Sequence, residues 1–201
     1  MSAAAPLVLA SASATRRRLL AEAGVAAIAD RADIAETEII AALRAEGALA
    51  GECAAALAEA KASRVSMRYP GALVIGADQI LDCEGEWLEK PRDLAAARAQ
   101  LERLRGKPHA LVSAVAVLRD GGRLWSALDR AELLMRPFSD AFLEDYLDRA
   151  GSEVLHSVGA YRLEGLGAQL FERVEGDFFT ILGLPLLPLL GFLREQGALL
   201  R

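Results

Sequence analysis

Leu7-Val8-Leu9-Ala10-Ser11-Ala12-Ser13-Ala14-Thr15-Arg16-Arg17-Arg18-Leu19-Leu20 is the stretch on which the fold turns. Leu7 to Ala10 reads as a short apolar strand. Residues 11–15 form a turn of small side chains, leading into a helix from about Arg16 to Ala23 that Gly24 closes. A helix start carries free N–H groups and about half a positive charge, so it attracts phosphate. Ser11 and Ser13 add hydroxyl donors, and Arg16 can grip phosphate oxygens with two bonds. The competing reading is a basic run on the surface beside a helix.

From this opening the elements alternate. Two helical stretches follow, Glu38 to Glu46 and Glu52 to Met67, separated near Gly47 and Gly51. In the second, Ala56, Ala60 and Ser63 offer a small-residue face for close packing, while Glu59 and Arg64 suit solvent. Ala72 to Ala77, after the turn pair Pro70-Gly71, reads as a fully buried strand that ends in Asp78. Arg92 to Arg105 is an amphipathic helix with Leu94, Ala97, Leu101 and Leu104 on one stripe. Leu111 to Leu118 and Leu124 to Met135 read as paired strands around the hairpin turn Asp120-Gly121-Gly122. Ser139 caps a helix to about Arg149, Gln169 to Val174 is a strand, and Leu186 to Glu195 is a closing helix. The alternation predicts an α/β fold. With no repeat, linker or low-complexity tract, residues 1–201 read as a single folding unit.

Composition narrows the function classes. At 53% hydrophobic residues the chain can bury a substantial core, which excludes disorder. A net charge of −5 provides no global field for a nucleic acid polymer, so a small anionic substrate needs a local cluster of cations. Cys53 and Cys83 form neither a CxxC pair nor a disulfide framework, which points to a reducing cytoplasm. The run from Met1 to Ala10, with Ala12-Ser13-Ala14 beyond it, has the apolar look of a leader. It lacks a basic start, its first charge being Arg16, and is expected to be retained. The longest apolar run, Ile181 to Leu193, contains Pro185 and Pro188 and is too short to span a bilayer. A soluble chain is expected.

Common catalytic motifs are absent: no P-loop, no GxGxxG, no GxSxG elbow. His109 and His156 lack metal-binding spacing and read as structural or exposed. The second feature of chemical interest is Asp78, directly after a buried strand, with Lys90-Pro91 following a loop. In open α/β sheets ligands bind beyond the carboxyl ends of strands. A carboxylate there can hold Mg²⁺ or orient a water, and a lysine can neutralise phosphate charge. The bland alternative is a turn aspartate and a solvated lysine.

These residues fit a known pattern. Leu9-Ala10-Ser11-Ala12-Ser13, Arg16-Arg17 and Leu19-Leu20 resemble the opening motif of the Maf family of nucleotide pyrophosphatases. Glu36, Lys61-Ala62, Ile75-Gly76-Ala77-Asp78-Gln79, Lys90-Pro91, Gly159-Ala160-Tyr161, Glu164-Gly165 and Gly183-Leu184-Pro185-Leu186 continue the resemblance, in order, across nearly the whole chain. It implies a two-lobed Maf/ITPase-like α/β fold with an elongated mixed sheet and a nucleotide cleft. The implied reaction is metal-dependent hydrolysis between the α- and β-phosphates, giving a monophosphate and pyrophosphate. Asp78 corresponds to the proton acceptor, and whether it acts as base or as metal ligand is left open. Ser11, Ser13, Arg16, Lys61 and Lys90 are expected to bind substrate, and Glu36 and Asp78 a divalent cation (Mg²⁺, Mn²⁺ or Co²⁺).

Thr15, Gln79 and Glu164 are the expected specificity positions. The Asp78-Gln79 pair, Glu164 and Leu170-Phe171-Glu172-Arg173 resemble the 7-methyl-GTP branch of the family, whereas the dTTP and UTP branch usually carries threonine and glutamine in place of Gln79 and Glu164. The chain departs from the family at Ala14 (usually proline), Glu89 (often glycine) and Ser157-Val158-Gly159 (commonly Lys-Ala-Gly). Thr15 stands where the 7-methyl-GTP branch has tryptophan, so stacking on the base is expected from Trp87. A guanine-type triphosphate is the expected partner, with no nucleic acid polymer and no membrane, and a homodimer is left open. A dTTP/UTP pyrophosphatase and a nucleotide-binding regulator of septum formation are the alternatives.

Overall fold

The computed structural model describes residues 5–200; the first four residues of the leader-like run lie outside it. Seven strands, β1 (Leu7–Leu9), β2 (Ile28–Ala29), β3 (Leu73–Cys83), β4 (Glu86–Leu88), β5 (Pro108–Arg119), β6 (Gly122–Met135) and β7 (Phe171–Glu175), form a mixed sheet in the order β2-β1-β3-β5-β6-β7, with β4 on β3. The α/β class is as read from the sequence. The chain divides into two compact units, Met1–Gln79 with Val112–Asp129 and Phe178–Arg201, and Ile80–Leu111 with Arg130–Asp177.

The first unit is built on β1 (Leu7–Leu9), which lies parallel to both β2 (Ile28–Ala29) and the start of β3 (Leu73–Cys83). Its three residues are all buried, and Leu9 aligns with Ile75. Helix α1 (Ala14–Glu22) begins earlier than the sequence pattern placed it, because Ser13 supplies the cap. Helices α2 (Glu36–Ala45) and α3 (Ala50–Ser66) follow. On the far side of the chain come the short α6 (Phe178–Ile181) and α7 (Leu186–Glu195), the latter as expected. Leu9, Leu20, Ile75, Ala77, Val115, Leu189 and Leu193 share one apolar cluster, and Trp125 stacks on Phe192 at 5.1 Å.

The small-residue face of α3 is a correction. Ala56, Ala60 and Ser63 are only half-buried, whereas Ala54, Ala58 and Ala62 are sealed. The reason is Gly76. A Cβ there would lie 2.0 Å from the Ala58 carbonyl oxygen and 2.9 Å from the Ala62 Cβ. Strand and helix therefore approach to a distance that only glycine allows. Side chains alternate along a strand, so Gly76 and Asp78 share the α3 face while Ile75 and Ala77 enter the apolar cluster.

The strand expected to stop at Asp78 runs on to Cys83, a second correction. Its end pairs antiparallel with β4 (Glu86–Leu88) in the second unit, Leu81 opposite Leu88, through a turn at Glu84 and Gly85, both at positive φ. The second unit also holds α4 (Leu94–Leu104), capped by Asp93, and α5 (Asp140–Ala150), capped by Ser139. Leu94 is 49% exposed in the first turn of α4, so the buried stripe is Ala97, Leu101 and Leu104. Strands β5 (Pro108–Arg119) and β6 (Gly122–Met135) meet at Asp120 and Gly121, φ 50° and 80°, the hairpin read from the sequence. Strand β7 (Phe171–Glu175) pairs antiparallel with the end of β6.

Candidate active site

In the turn between β1 and α1, each expected donor has a local task. The Ser13 hydroxyl accepts the Arg16 backbone N–H at 3.3 Å, which caps the helix. Ser11 Oγ accepts the Ser13 N–H at 3.2 Å and lies 3.4 Å from Arg16 Nη1. Arg16 is buried, while Arg17 and Arg18 are exposed. Its Nε donates to the Gly183 carbonyl at 2.7 Å and its Nη1 to the Ala77 carbonyl at 2.9 Å. Burial pulls the guanidinium below its usual pKa, and the Asp78 and Glu36 carboxylates pull it part of the way back. The surface-run alternative fails for Arg16, which ties α1 to β3 and to the turn before α7.

Asp78, Lys61 and Glu36 come together. Lys61, buried on α3, places its Nζ 2.6 Å from Asp78 Oδ1 and 3.1 Å from Glu36 Oε2. The Asp78 side chain is 12% exposed and that of Glu36, the first residue of α2, is 47% exposed. Gly76 explains the meeting: with Ala58 and Ala62 pressed against it, Lys61 is carried to Asp78, two residues along the same strand face. Two carboxylates so placed are the residues able to hold a cation here. Among the described residues no group of three or more His, Cys, Asp and Glu side chains is arranged to hold a metal.

Gln79 is engaged. Its Nε2 lies 3.0 Å from the Thr180 carbonyl, 3.1 Å from the Ile181 carbonyl and 3.0 Å from Ser113 Oγ. The Ser113 hydroxyl donates to the Thr180 carbonyl at 2.8 Å, and that of Thr180 to Asp129 Oδ2 at 2.7 Å. Gln79 thus fastens the segment that ends in Gly183 instead of presenting a bare amide. Sequence reading missed Ser113 and Thr180, both fully buried. The available signal was a lone polar residue in an apolar run, Leu111 to Leu118 for one and Phe178 to Ile181 for the other. Thr15 is half-buried in the first turn of α1.

Lys90 and Glu164 belong to the second unit. Lys90 is exposed beside buried Pro91 in the loop before α4. Glu164, its side chain 15% exposed, holds Arg162 Nη2 at 3.2 Å, and Arg162 Nη1 reaches Glu153 at 2.6 Å. The carboxylate expected to read a base already has an arginine on it. Trp87 is 8% exposed in β4, so the stacking face expected of it is covered. His109 is buried, with Nε2 2.8 Å from the Tyr161 hydroxyl, in keeping with a structural role.

Residues 6–196 match a family described as Maf-like protein. A protein of Paramagnetospirillum magneticum named nucleoside triphosphate pyrophosphatase is 56% identical over 192 residues, covering 96% of this chain and 99% of its own length. One of the same name from Rhodospirillum rubrum is 56% identical over 195 residues, 97% of this chain and 96% of its own. A Rhizobium etli protein named 7-methyl-GTP pyrophosphatase is 49% identical over 193 residues, 96% of this chain and 97% of its own.

Proposed function

Because the chain belongs to the Maf-like protein family, we propose that it hydrolyses nucleoside triphosphates between the α- and β-phosphates, releasing the monophosphate and pyrophosphate. The observation that carries this reading is the Asp78–Lys61–Glu36 cluster with buried Arg16 beside it. Phosphoryl transfer asks for positioning and charge neutralisation more than for a covalent nucleophile.

Asp78 is our proton acceptor. Before nucleotide binds, Lys61 holds its Oδ1. A water against this carboxylate gives it a proton as the water oxygen bonds to phosphorus. The bond from that phosphorus to the bridging oxygen breaks, and its electron pair leaves with the departing group. Of the five N–H donors of Arg16, Nε and Nη1 are used within the protein, which leaves the two on Nη2 for phosphate oxygens. The Ser11 and Ser13 hydroxyls serve the same anion. The assignments of Lys90 to phosphate and of Thr15, Gln79 and Glu164 to the base rest on the family resemblance.

The residues fit the divalent cation that the family implies. Asp78 and Glu36 supply hard oxygen donors that converge on one point, and Mg²⁺ characteristically takes one or two carboxylates with substrate phosphates and water. Bound there, the cation would neutralise charge on the phosphate chain. The compartment we propose is the cytoplasm, where Cys53 and Cys83, both buried and in no disulfide, would stay reduced.

The substrate we favour is a guanine-type triphosphate such as 7-methyl-GTP, because Gln79 and Glu164 stand where that branch has them and because relatives near half identity carry that name. Pyrophosphate release from 7-methyl-GTP, GTP, dTTP and UTP, each with Mg²⁺, Mn²⁺ and Co²⁺, tests it. Turnover of at least one triphosphate is expected. Binding with no turnover of any would sink the enzyme reading and favour a nucleotide-binding regulator.

A further inference from the structure

We infer that Lys61 is a resident counter-cation that makes metal binding conditional on nucleotide: its ammonium occupies the Asp78–Glu36 pair until a triphosphate draws it off, and those carboxylates then accept a divalent ion. The reaction proposed above enters only by naming the triphosphate as the anion.

The geometry carries the inference. The Nζ of Lys61 sits at 2.6 Å from one carboxylate and 3.1 Å from the other, the place a bridging cation would take. Lys61 is 7% exposed, so this ammonium has given up water for the two carboxylates. The cluster of Arg16, Lys61, Glu36 and Asp78 holds two cations and two anions and is neutral. A divalent ion arriving alone must face a like charge already seated on its ligands, and the cluster itself has no net negative charge to draw it in. A triphosphate arriving with the metal removes that obstacle, since Lys61 has a flexible four-carbon stem and three rotatable donors with which to follow phosphate oxygens. Coupling of this kind is reciprocal, so metal also tightens nucleotide.

Mn²⁺ titration of the whole protein, with free Mn²⁺ counted by electron paramagnetic resonance, reads it directly. Nucleotide-free wild type is expected to bind weakly, and Lys61→Met and Lys61→Gln on the order of tenfold tighter. Lys61→Arg, which keeps the cation, should stay weak. Adding α,β-methylene-GTP should tighten Mn²⁺ on wild type by a similar factor, after correction for Mn²⁺ held by free analogue, and by less on Lys61→Met. Wild type that binds Mn²⁺ alone as tightly as the neutral variants overturns the inference. Should those variants not fold, the two wild-type titrations decide: equal affinity with and without analogue overturns it. Should the analogue not bind, the nucleotide-free comparison decides. Failure of the reaction is read elsewhere, as absent pyrophosphate release with the Lys61 dependence of Mn²⁺ binding intact.

Discussion

Arg16 and Lys61 are two buried cations held in different ways, and their substitutions should part accordingly. Arg16 satisfies the main-chain carbonyls of Ala77 and Gly183. Arg16→Ala strands both, and a buried unsatisfied polar group costs about 1–3 kcal/mol. Loss of roughly 2–4 kcal/mol on denaturant unfolding is expected, and an unchanged midpoint would show that the bonds carry no stability. Asp78→Asn retains a carbonyl oxygen for Lys61 while removing charge and basicity. Turnover should fall by about two orders of magnitude or more with the fold intact, since a positioned base contributes on that scale. Pyrophosphate release near the wild-type rate would remove Asp78 from the chemistry. At this scale the sequence told which residues carry charge but not what they touch. Arg16 read as a phosphate grip, and much of its guanidinium turned out to be spent on carbonyls 61 and 167 residues away.

Between elements, the contact of β3 with α3 sets the site. Gly76→Ala would drive a methyl into the Ala58 carbonyl at 2.0 Å. Overpacking of this kind costs about 1–3 kcal/mol or more, and separating the two elements also parts Lys61 from Asp78. We expect lowered stability and lowered kcat together; a variant with normal melting and kcat would mean the backbone tolerates the shift. In the second unit, burial pushes His109 down to about 4 from 6.5, against the pull of the Lys107 backbone and Glu132. Above pH 6.5 the histidine is neutral folded or unfolded and makes no difference. As pH falls from 6.5 towards 4 only the unfolded chain takes up the proton, so stability falls by about 3 kcal/mol across that window. Urea unfolding between pH 7 and pH 4 on wild type and His109→Gln checks this: the variant should lose less over that interval, and parallel curves would clear His109. The sequence announced α3 and its length, yet its small-residue face was misjudged, because two helical faces rich in alanine look alike until a partner selects one. Strand β3 was cut short because the residues after Asp78 are held by β4, a pairing that Leu81 and Leu88 make visible only once folded.

For the whole molecule the open quantity is base preference. The Glu164 carboxylate can accept N1–H and N2–H₂ of guanine, and a bidentate base contact is worth about 1–3 kcal/mol. Arg162 already shares that carboxylate, so we expect the lower end of this range. Values of kcat/KM for 7-methyl-GTP, GTP, dTTP and UTP should favour the guanine nucleotides, and Glu164→Gln should narrow the ratio by about fivefold. Ratios untouched by that change would end the base-reading role and leave the pyrophosphatase intact. By itself the sequence determined what depends on near neighbours along the chain: the cap at Ser139, the hairpin at Asp120-Gly121, the closing helix Leu186–Glu195, the α/β alternation, and the ordered motifs that place the chain in its family. These are legible because capping, turn conformation and amphipathic period are set within a few residues. Only the tertiary structure decided that Lys61 meets Asp78 and Glu36, that Gln79 is spent on Thr180, 101 residues away, and that Glu164 is paired with Arg162. Some of those partners stand far apart in sequence and others close, but in each case the pairing depends on how closely backbones pack and which face each side chain is turned to, and no local pattern encodes that.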